Sequence, residues 1–589
     1  MNLDFASQSI AEGMGTEDGD HSEDYYGVVG EGVVVNINAN IDIVISAGTI
    51  VRECERTNAK FSDPEFDIES DFSACADNCL FGIVRACDDG DDDDDDGDGG
   101  RPLKPGSVHR VPWIFERPQF TVNDFSSDLI QGASRNCWWL AALATINCRK
   151  DLMERICVAR DEECGVYGFV FYRDGEWIST VVDDNLYLTQ EDFDQEIYDA
   201  AGKKAKLYKK QKQSGSDALF FAKCGDANET WLPLLEKAFA KIHGDYGALD
   251  GGWAGTAVED LTGGVTTVLA GDRVLRKERL WREMGDNHRN GLILGHDYSV
   301  LEATEVEDEL GNEISLVKIR NPWGERCASG HGEWNGPWSD GSEEWTPFMM
   351  EKLRHKFSDN GTFWMSFHDM LDNFRWIYRT RLFDEGWITV QRWMSVNLDD
   401  RYFQGLEGQY EFTLHFTLRS LGDSAVICQV QPAPQWNTRS VNCEITLKPG
   451  KYEVIPNIVA ERDEQDMSVE RMIRLTTLTN PSKLRQVGKQ YDRAHAKAEI
   501  TDNEMPHDRA EDGPERKSGS PESRPKPVAD TSGSKTEAES QSSSANSDSD
   551  CDSSQQPWNA VCIVGLRVYT QQACIRISLE DGEWQHSHE

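Results

Sequence analysis

The chain has 589 residues, which at about 150 residues per domain predicts roughly four units, linkers included. Its 60 Lys+Arg against 104 Asp+Glu give a formal net charge of -44, a surface that repels phosphate backbones and disfavours nucleic acid as a main partner. No apolar run reaches the roughly 18 residues of a membrane span, so no transmembrane segment is expected.

The charge is uneven. Residues 1–100 hold 26 acidic and 4 basic side chains, half of the net charge in a sixth of the chain. Such an arm is expected to be solvated and partly disordered, and a cation such as calcium is the partner it attracts most readily. The opening MNLDFASQSIAEGMGTEDGD shows neither the basic n-region nor the apolar h-region of a secretory signal. The 15 cysteines are scattered, so reduced thiols and a cytoplasmic location are expected. Alternation in VVVNINANIDIVI (33–45) predicts two short strands. The tract DDGDDDDDDGDGG (88–100) repels itself too strongly to fold and reads as an extended linker. Asp92, Asp94, Asp96 and Gly97 match the first half of an EF-hand loop, but Leu103 holds the twelfth position, where a bidentate Glu is required, so an EF-hand is rejected.

From about 108 to 480 the composition is globular. Within it, Lys203, Lys204, Lys206, Lys209, Lys210 and Lys212 form a basic cluster that reads as an exposed helical insertion. Residues 492–557 contain no Phe, Trp or Tyr and are rich in Ser, Pro, Glu, Asp and Lys, the composition of a disordered linker. The segment 558–578 reads as two strands around a polar turn. Two strands alone are marginal, so they are expected to dock onto the preceding β region.

The chemistry centres on QGASRNCWWLAALATI, Gln131 to Ile146. Polar residues and a Gly precede Cys137 and a helix-forming apolar run follows it, which predicts a thiol at a helix start, where free N–H groups and the macrodipole favour thiolate. GHDYSVLEA supplies His296 before a strand-like run, 159 positions on, and VKIRNPWGE supplies Asn321, 25 further. Cys, then His, then Asn at such separations is the order of papain-type proteases. In that chemistry Cys137 attacks the scissile carbonyl and His296 protonates the leaving amine. Asn321 orients the imidazole without adding charge, and Trp323 shields that bond. Gln131 is placed to form an oxyanion hole with the Cys137 N–H.

Gln131-Gly132…Cys137-Trp138, Gly295-His296-x-Tyr298-Ser299 and Asn321-Pro322-Trp323-Gly324 together resemble the calpain cysteine-protease core. So do WISTVVDDNL (177–186), WLPLLEKAFAKIHGDYGALDGGW (231–253), EDLTGG (259–264), GEWNGPWSD (332–340) and GTFWMSF (361–367). The resemblance covers roughly 108–380, and GPWSDGSEEWTP with LDDRYFQGLEGQY is similar to the fungal branch. It implies an α+β fold: a two-lobed papain-like core followed by a β-sandwich, with a disordered acidic N-terminal arm and a disordered linker near the C-terminus. The implied boundaries are 1–107 for the arm, 108–265 for the lobe with Cys137 and 266–383 for the lobe with His296 and Asn321. They continue with 384–480 for the sandwich, 481–557 for the linker and 558–589 for a C-terminal strand pair. The implied function is intracellular, calcium-regulated limited proteolysis of protein substrates, with calcium as regulator and no catalytic cofactor. Carried over residue by residue, the calcium ligands are Asp128 and Glu229 in the first lobe and Glu333 and Asp340 in the second. Asn360 and Thr362 stand where further acids are expected, which weakens the second site.

Three departures bear on activity. Arg135-Asn136 replaces the usual Gly-Asp before the nucleophile; a glycine there serves a tight turn, and Arg135 either strains it or favours thiolate by its charge. Asp297 replaces a small residue, and a carboxylate so close raises the imidazole pKa. The segments between Gly264 and His296 and between Trp393 and Arg401 are short for the family. These departures motivate the rival reading, a catalytically impaired, protease-like interaction or scaffold protein. A transglutaminase-type acyl transferase is disfavoured, because that chemistry prefers Asp as the third member.

Overall fold

The computed structural model describes residues 31–76, 78–81, 83, 104–121, 129–147, 149–194, 202–270, 288–293, 295–326, 330–383, 386–398, 410–421, 425–431, 440–462, 469–497, 560–571 and 575–578. The acidic tract 88–100, most of the segment before His296 and residues 399–409 lie outside them.

The two strands expected at 33–45 are instead part of one helix, Glu31–Thr57. Its buried positions Ile43, Ala47 and Cys54 fall one, then two, turns apart, a helical spacing that continues past the alternating run. The helix lies on a three-stranded antiparallel sheet, Cys157–Asp161, Val166–Arg173 and Glu176–Asp183. A Cβ on Gly168 would stand 2.6 Å from Ile43 Cγ1, so a bare backbone at that point lets the helix approach.

Behind the sheet the helices Cys137–Asn147 and Trp231–His243 form the main apolar cluster, with Trp139, Phe171, Phe239 and Tyr246 fully buried in it. Twelve of the thirteen residues of Trp231–His243 are buried, so its charged members must find partners inside the protein. Lys237 Nζ donates to Asp183 Oδ1 at 2.6 Å and to the Asn185 carbonyl at 2.9 Å. Lys241 Nζ donates to Asp63 Oδ2 at 2.7 Å and to the Val181 carbonyl at 2.9 Å. Asp63 belongs to the region read as a partly disordered arm. Here it is buried, and Phe66, Ile68 and Leu80 join the main apolar cluster. The folded unit therefore reaches back beyond residue 107. The basic run 203–212 is a helix with no buried residue, as expected, and Lys209 Nζ sits 4.0 Å from the Trp113 ring centre.

Residues 299–381 add a second antiparallel sheet of Ser299–Glu307, Glu313–Arg320 and Thr362–Ser366 in that order. Side chains alternate across it: Val317, Ile319, Phe363 and Met365 face one cluster, Leu316 and Trp364 the other. Among the described residues, the bonds that join this unit to the first include three near the chain ends of its sheet. Ser299 Oγ donates to the Ala141 carbonyl at 2.7 Å, Arg320 Nη2 to the Leu129 carbonyl at 3.1 Å and the Gln131 N–H to the Pro322 carbonyl at 3.2 Å.

Beyond 384, a three-stranded sheet is centred on Tyr410–Ser420, between Val426–Val430 and Tyr452–Arg462. The expected C-terminal strand pair is one strand, Ala560–Thr570, whose partner is Ile388–Leu398, 11 residues in antiparallel register; residues 575–578 are not a strand. The β region does not run unbroken to 480, because Val469–Thr479 is a helix. Nor does the linker start at 481: Pro481–Ala496 is a helix. Asn480 Oδ1 accepts the Lys483 N–H at 2.9 Å and Pro481 follows it, a cap and first-turn proline that start a helix. It docks through buried Val487 and through Lys483 to Asp245 at 3.0 Å.

The strap of residues 60–66 generates a stability prediction. Asp63→Ala leaves the Lys241 ammonium buried beside the distant Glu65, 3.7 Å away, and is expected to destabilise the protein by about 3 kcal/mol. Chemical unfolding of the full chain checks this, against Asp217→Ala, whose partner Lys223 pairs with it at the surface, as a near-neutral control.

Candidate active site

Strand pairing brings two of the expected residues together. Ser299 lies opposite Arg320 in the register of the second sheet. His296 precedes the first of these strands by three residues and Asn321 follows the second by one, so both side chains fall at the same end of the sheet. Ser299 then bonds to Ala141, one turn along the helix that Cys137 opens. That helix starts on the Asn136 carbonyl, which accepts the N–H groups of Trp139 and Leu140, both at 3.1 Å.

His296 Nε2 lies 2.8 Å from Asn321 Oδ1. A carboxamide oxygen only accepts, so Nε2 carries the proton and in the neutral ring the free lone pair is on Nδ1. Asn321 is fully buried, and its Oδ1 also accepts the Trp323 N–H at 3.1 Å. Its own N–H goes to the Gly361 carbonyl at 2.7 Å. The Trp323 ring stands 4.9 Å from the imidazole and the Tyr298 ring 5.0 Å, edge-on. Gly332 closes the far side at a φ of +119°, and a Cβ there would stand 2.6 Å from Asn321 Nδ2, so no side chain is tolerated.

The Cys137 thiol is pushed up from its usual value, by burial first. The main-chain N–H of Asp297 pulls it down, the Asp297 carboxylate pushes it up, and the N–H groups of Trp138 and Cys137 pull it down. The helix-start N–H groups thus act in the expected sense, but burial outweighs them. Burial also lowers His296 to about 4 against the smaller upward pull of Asn321. The expected rise of His296 through Asp297 is not what the structure shows. Asp297 is itself pushed up to about 6 by burial, and its charge acts on the sulfur.

Gln131 is buried, and its Nε2 donates to the Ser134 carbonyl at 2.8 Å. That bond uses one of two amide hydrogens and leaves the second for a ligand. Arg135 is exposed, its N–H on Asp250 Oδ1 at 3.2 Å. It is not among the residues at positive φ, so no strain arises there. Asn136 was noted in the sequence only as a departure before the nucleophile; its pairing with Glu236 escaped notice. Asn136 Nδ2 donates to Glu236 Oε1 at 2.5 Å, with both side chains fully buried. The available signal was the single Glu in WLPLLEKAFAKIH, a run otherwise apolar apart from two lysines and a histidine.

Of the residues expected to hold calcium, Asp128 lies outside the described residues. Glu229 is fully buried just before the Trp231–His243 helix, and after burial its charge is the next cause that pushes the Cys224 thiol well up. The other two carboxylates, Glu333 and Asp340, already face donors. Glu333 Oε2 accepts Arg326 Nε at 2.7 Å and Oε1 the Gly361 N–H at 2.9 Å. Asp340 Oδ1 pairs with His355 Nε2 at 2.8 Å and Oδ2 accepts the Ser358 N–H at 3.0 Å. Asn360 Oδ1 is taken by the Thr362 N–H. Calcium needs six to eight lone-pair oxygens. A cluster already capped by an arginine, a histidine and three N–H groups does not fit it. Among the described residues, no group of three or more His, Cys, Asp or Glu is placed to share a metal ion.

The calpain family cysteine protease profile matches residues 103–295 and 281–380, just under half of the chain. The calpain-type cysteine protease ADL1 of Oryza sativa subsp. japonica is 34% identical over 312 residues, covering 48% of this chain and 13% of its own length. The calpain-1 catalytic subunit of Rattus norvegicus is 32% identical over 342 residues, 52% of this chain and 43% of its own. Calpain-5 of Mus musculus is 30% identical over 335 residues, 48% and 47% respectively. The chain thus spans less than half the length of each of these relatives. Through residues 103–380 it belongs to the calpain family of cysteine proteases.

Proposed function

We propose that this chain is a cysteine endopeptidase that cleaves protein substrates with Cys137 as nucleophile, His296 as acid and base, and Asn321 as the group that orients the imidazole. The observation that carries the reading is the 2.8 Å bond from His296 Nε2 to Asn321 Oδ1, at a sheet end that packs on the Cys137 helix through Ser299.

In this reading the Cys137 proton passes to His296 Nδ1 as the sulfur attacks the scissile carbonyl. The oxyanion meets the Cys137 N–H and the second hydrogen of Gln131 Nε2. His296 then gives its proton to the departing amine and a thioester remains. Water, deprotonated by the same nitrogen, releases the acid and restores the thiol. Throughout, Nε2–H stays on Asn321, and Trp323 keeps water from that bond. The lobes 108–265 and 266–383, the β region from 384 and the strand at 560–570 are part of the same proposal, with the strap 58–83 and the helix 481–496 added to the protease unit. Nine cysteines of the described residues, Cys137 among them, are free, which suits the reducing cytoplasm. Calcium enters as a regulator on family grounds, through the region of Asp128 and Glu229 rather than through Glu333 and Asp340.

A thiol pushed up and an imidazole pushed down rest as a neutral pair, so proton transfer accompanies attack instead of preceding it. Removing the Asp297 charge relieves one of the causes that disfavour thiolate. As pH rises through about 6, wild-type Asp297 ionises and holds the thiol up, whereas Asp297→Asn keeps the N–H to sulfur without the charge. The variant is expected to alkylate at Cys137 about threefold to tenfold faster at pH 7.5, read by mass spectrometry as the rate of carbamidomethylation at that cysteine.

The activity itself is tested on casein with and without calcium or chelator. Wild type is expected to cleave and Cys137→Ala to lose all cleavage. Equal cleavage by both ends the reading, and Cys137-dependent cleavage unaffected by chelator removes only calcium.

A further inference from the structure

Glu236 stands out among the buried ionisable groups. Lys237 and Lys241 on the same helix each meet a carboxylate, but among the described residues no ion pair involves Glu236. Its side chain is fully buried, and burial pushes its carboxyl up to about 8 against the pull of the Ala222 N–H and the Asn136 amide. A lone buried carboxyl is an unfavourable way to fill an apolar helix, and an apolar side chain of similar size is usually as stable or more so. Fold stability therefore does not account for it.

Its two oxygens join two pieces of chain that flank the thiol. Oε1 accepts Asn136 Nδ2 at 2.5 Å, and Asn136 is the residue whose carbonyl starts the Cys137 helix. Oε2 accepts the Ala222 N–H at 2.9 Å. Ala222 ends the segment that supports the turn before the nucleophile: the Ala133 N–H donates to the Phe220 carbonyl at 2.9 Å. A Cβ on Gly132 would lie 2.3 Å from the Phe221 carbonyl, so that turn rests directly on the segment. Gln131 is carried on the same turn.

We propose that Glu236 is a positioning residue for Cys137: its carboxyl locks the start of the nucleophile helix to the 220–222 segment and so fixes the sulfur and the Gln131 amide relative to one another. This rests on the cysteine-protease reading. A displacement of about 1 Å at such a site costs on the order of 100-fold in rate, and a single buried clamp is the kind of contact that prevents it.

Two variants separate positioning from stability. Glu236→Met fills the space and removes both acceptors. Glu236→Gln can keep both links: the amide oxygen accepts from Ala222, and once the Asn136 amide turns over, the amide nitrogen donates to Asn136 Oδ1, which has no hydrogen-bond partner among the described residues to lose. Measured on the full chain, Glu236→Met is expected to lower the rate of carbamidomethylation at Cys137 and kcat on a peptide substrate, each by about tenfold or more. KM should stay within about twofold and the unfolding midpoint should not fall. Glu236→Gln is expected to recover most of both rates. The proposal is overturned if Glu236→Met labels Cys137 at the wild-type rate, if its losses only track a lowered folded fraction, or if Glu236→Gln is as slow as Glu236→Met. Labelling at Cys137 reports on the clamp even where wild type cleaves nothing, so failure of the protease reading and failure of the clamp give different results.

Discussion

One buried carboxamide organises the site. Asn321 has no exposed surface, yet its oxygen takes two N–H donors, from the imidazole of His296 and from the main chain of Trp323. An amide in that position imposes a direction: an oxygen without a proton accepts, so the ring is held in one tautomer with its free lone pair on the other nitrogen. The surroundings keep the carboxamide where it is. Its main-chain N–H is tied to Gly361, Gly332 crowds its nitrogen, and the aromatic rings of Trp323 and Tyr298 flank the imidazole it holds. Sheet register does the rest, because Ser299 opposite Arg320 leaves His296 and Asn321 at adjacent chain ends.

The helix Trp231–His243 poses a different problem, that of an element buried on every side that still carries charge. Each lysine of Trp231–His243 is matched by a carboxylate and by carbonyls, and one of those carboxylates, Asp63, comes from a distant strap. Charge pairing in the interior thus recruits chain from outside the region that the family profile matches. In residues 299–381, Arg326 and His355 stand against Glu333 and Asp340, so side chains of the protein itself already face the carboxylates that were expected to hold a metal.

The candidate site rested on local signals in spacing and flanking residues: a Cys before an apolar helix, a His before a strand, an Asn-Pro after one. The oxyanion candidate Gln131 was found in the same way. What eluded the sequence were features decided by tertiary contact. The run 33–45 alternates for a few residues, but Ile43, Ala47 and Cys54 face one sheet at helical spacing, and packing overrode the short-range pattern. Helix Pro481–Ala496 was hidden by polar composition, although Asn480-Pro481 is a helix-start signal and Val487 is buried. Asn136 and Glu236 meet 100 positions apart, a pairing that no local pattern encodes. The effects on Cys137 and His296 were misjudged for one reason: burial, which a sequence does not display, outweighs the helix start and the neighbouring carboxylate.

The central claim is that a sulfur and an imidazole from separate lobes act as one unit. The most direct measurement is peptide mapping after reaction with a thiol-directed epoxide, in wild type and in His296→Ala. The account predicts that, of 15 cysteines, Cys137 is modified first and selectively, and that His296→Ala removes this selectivity while the other thiols react as before. Modification spread over the exposed cysteines, or Cys137 labelling indifferent to His296, would contradict it.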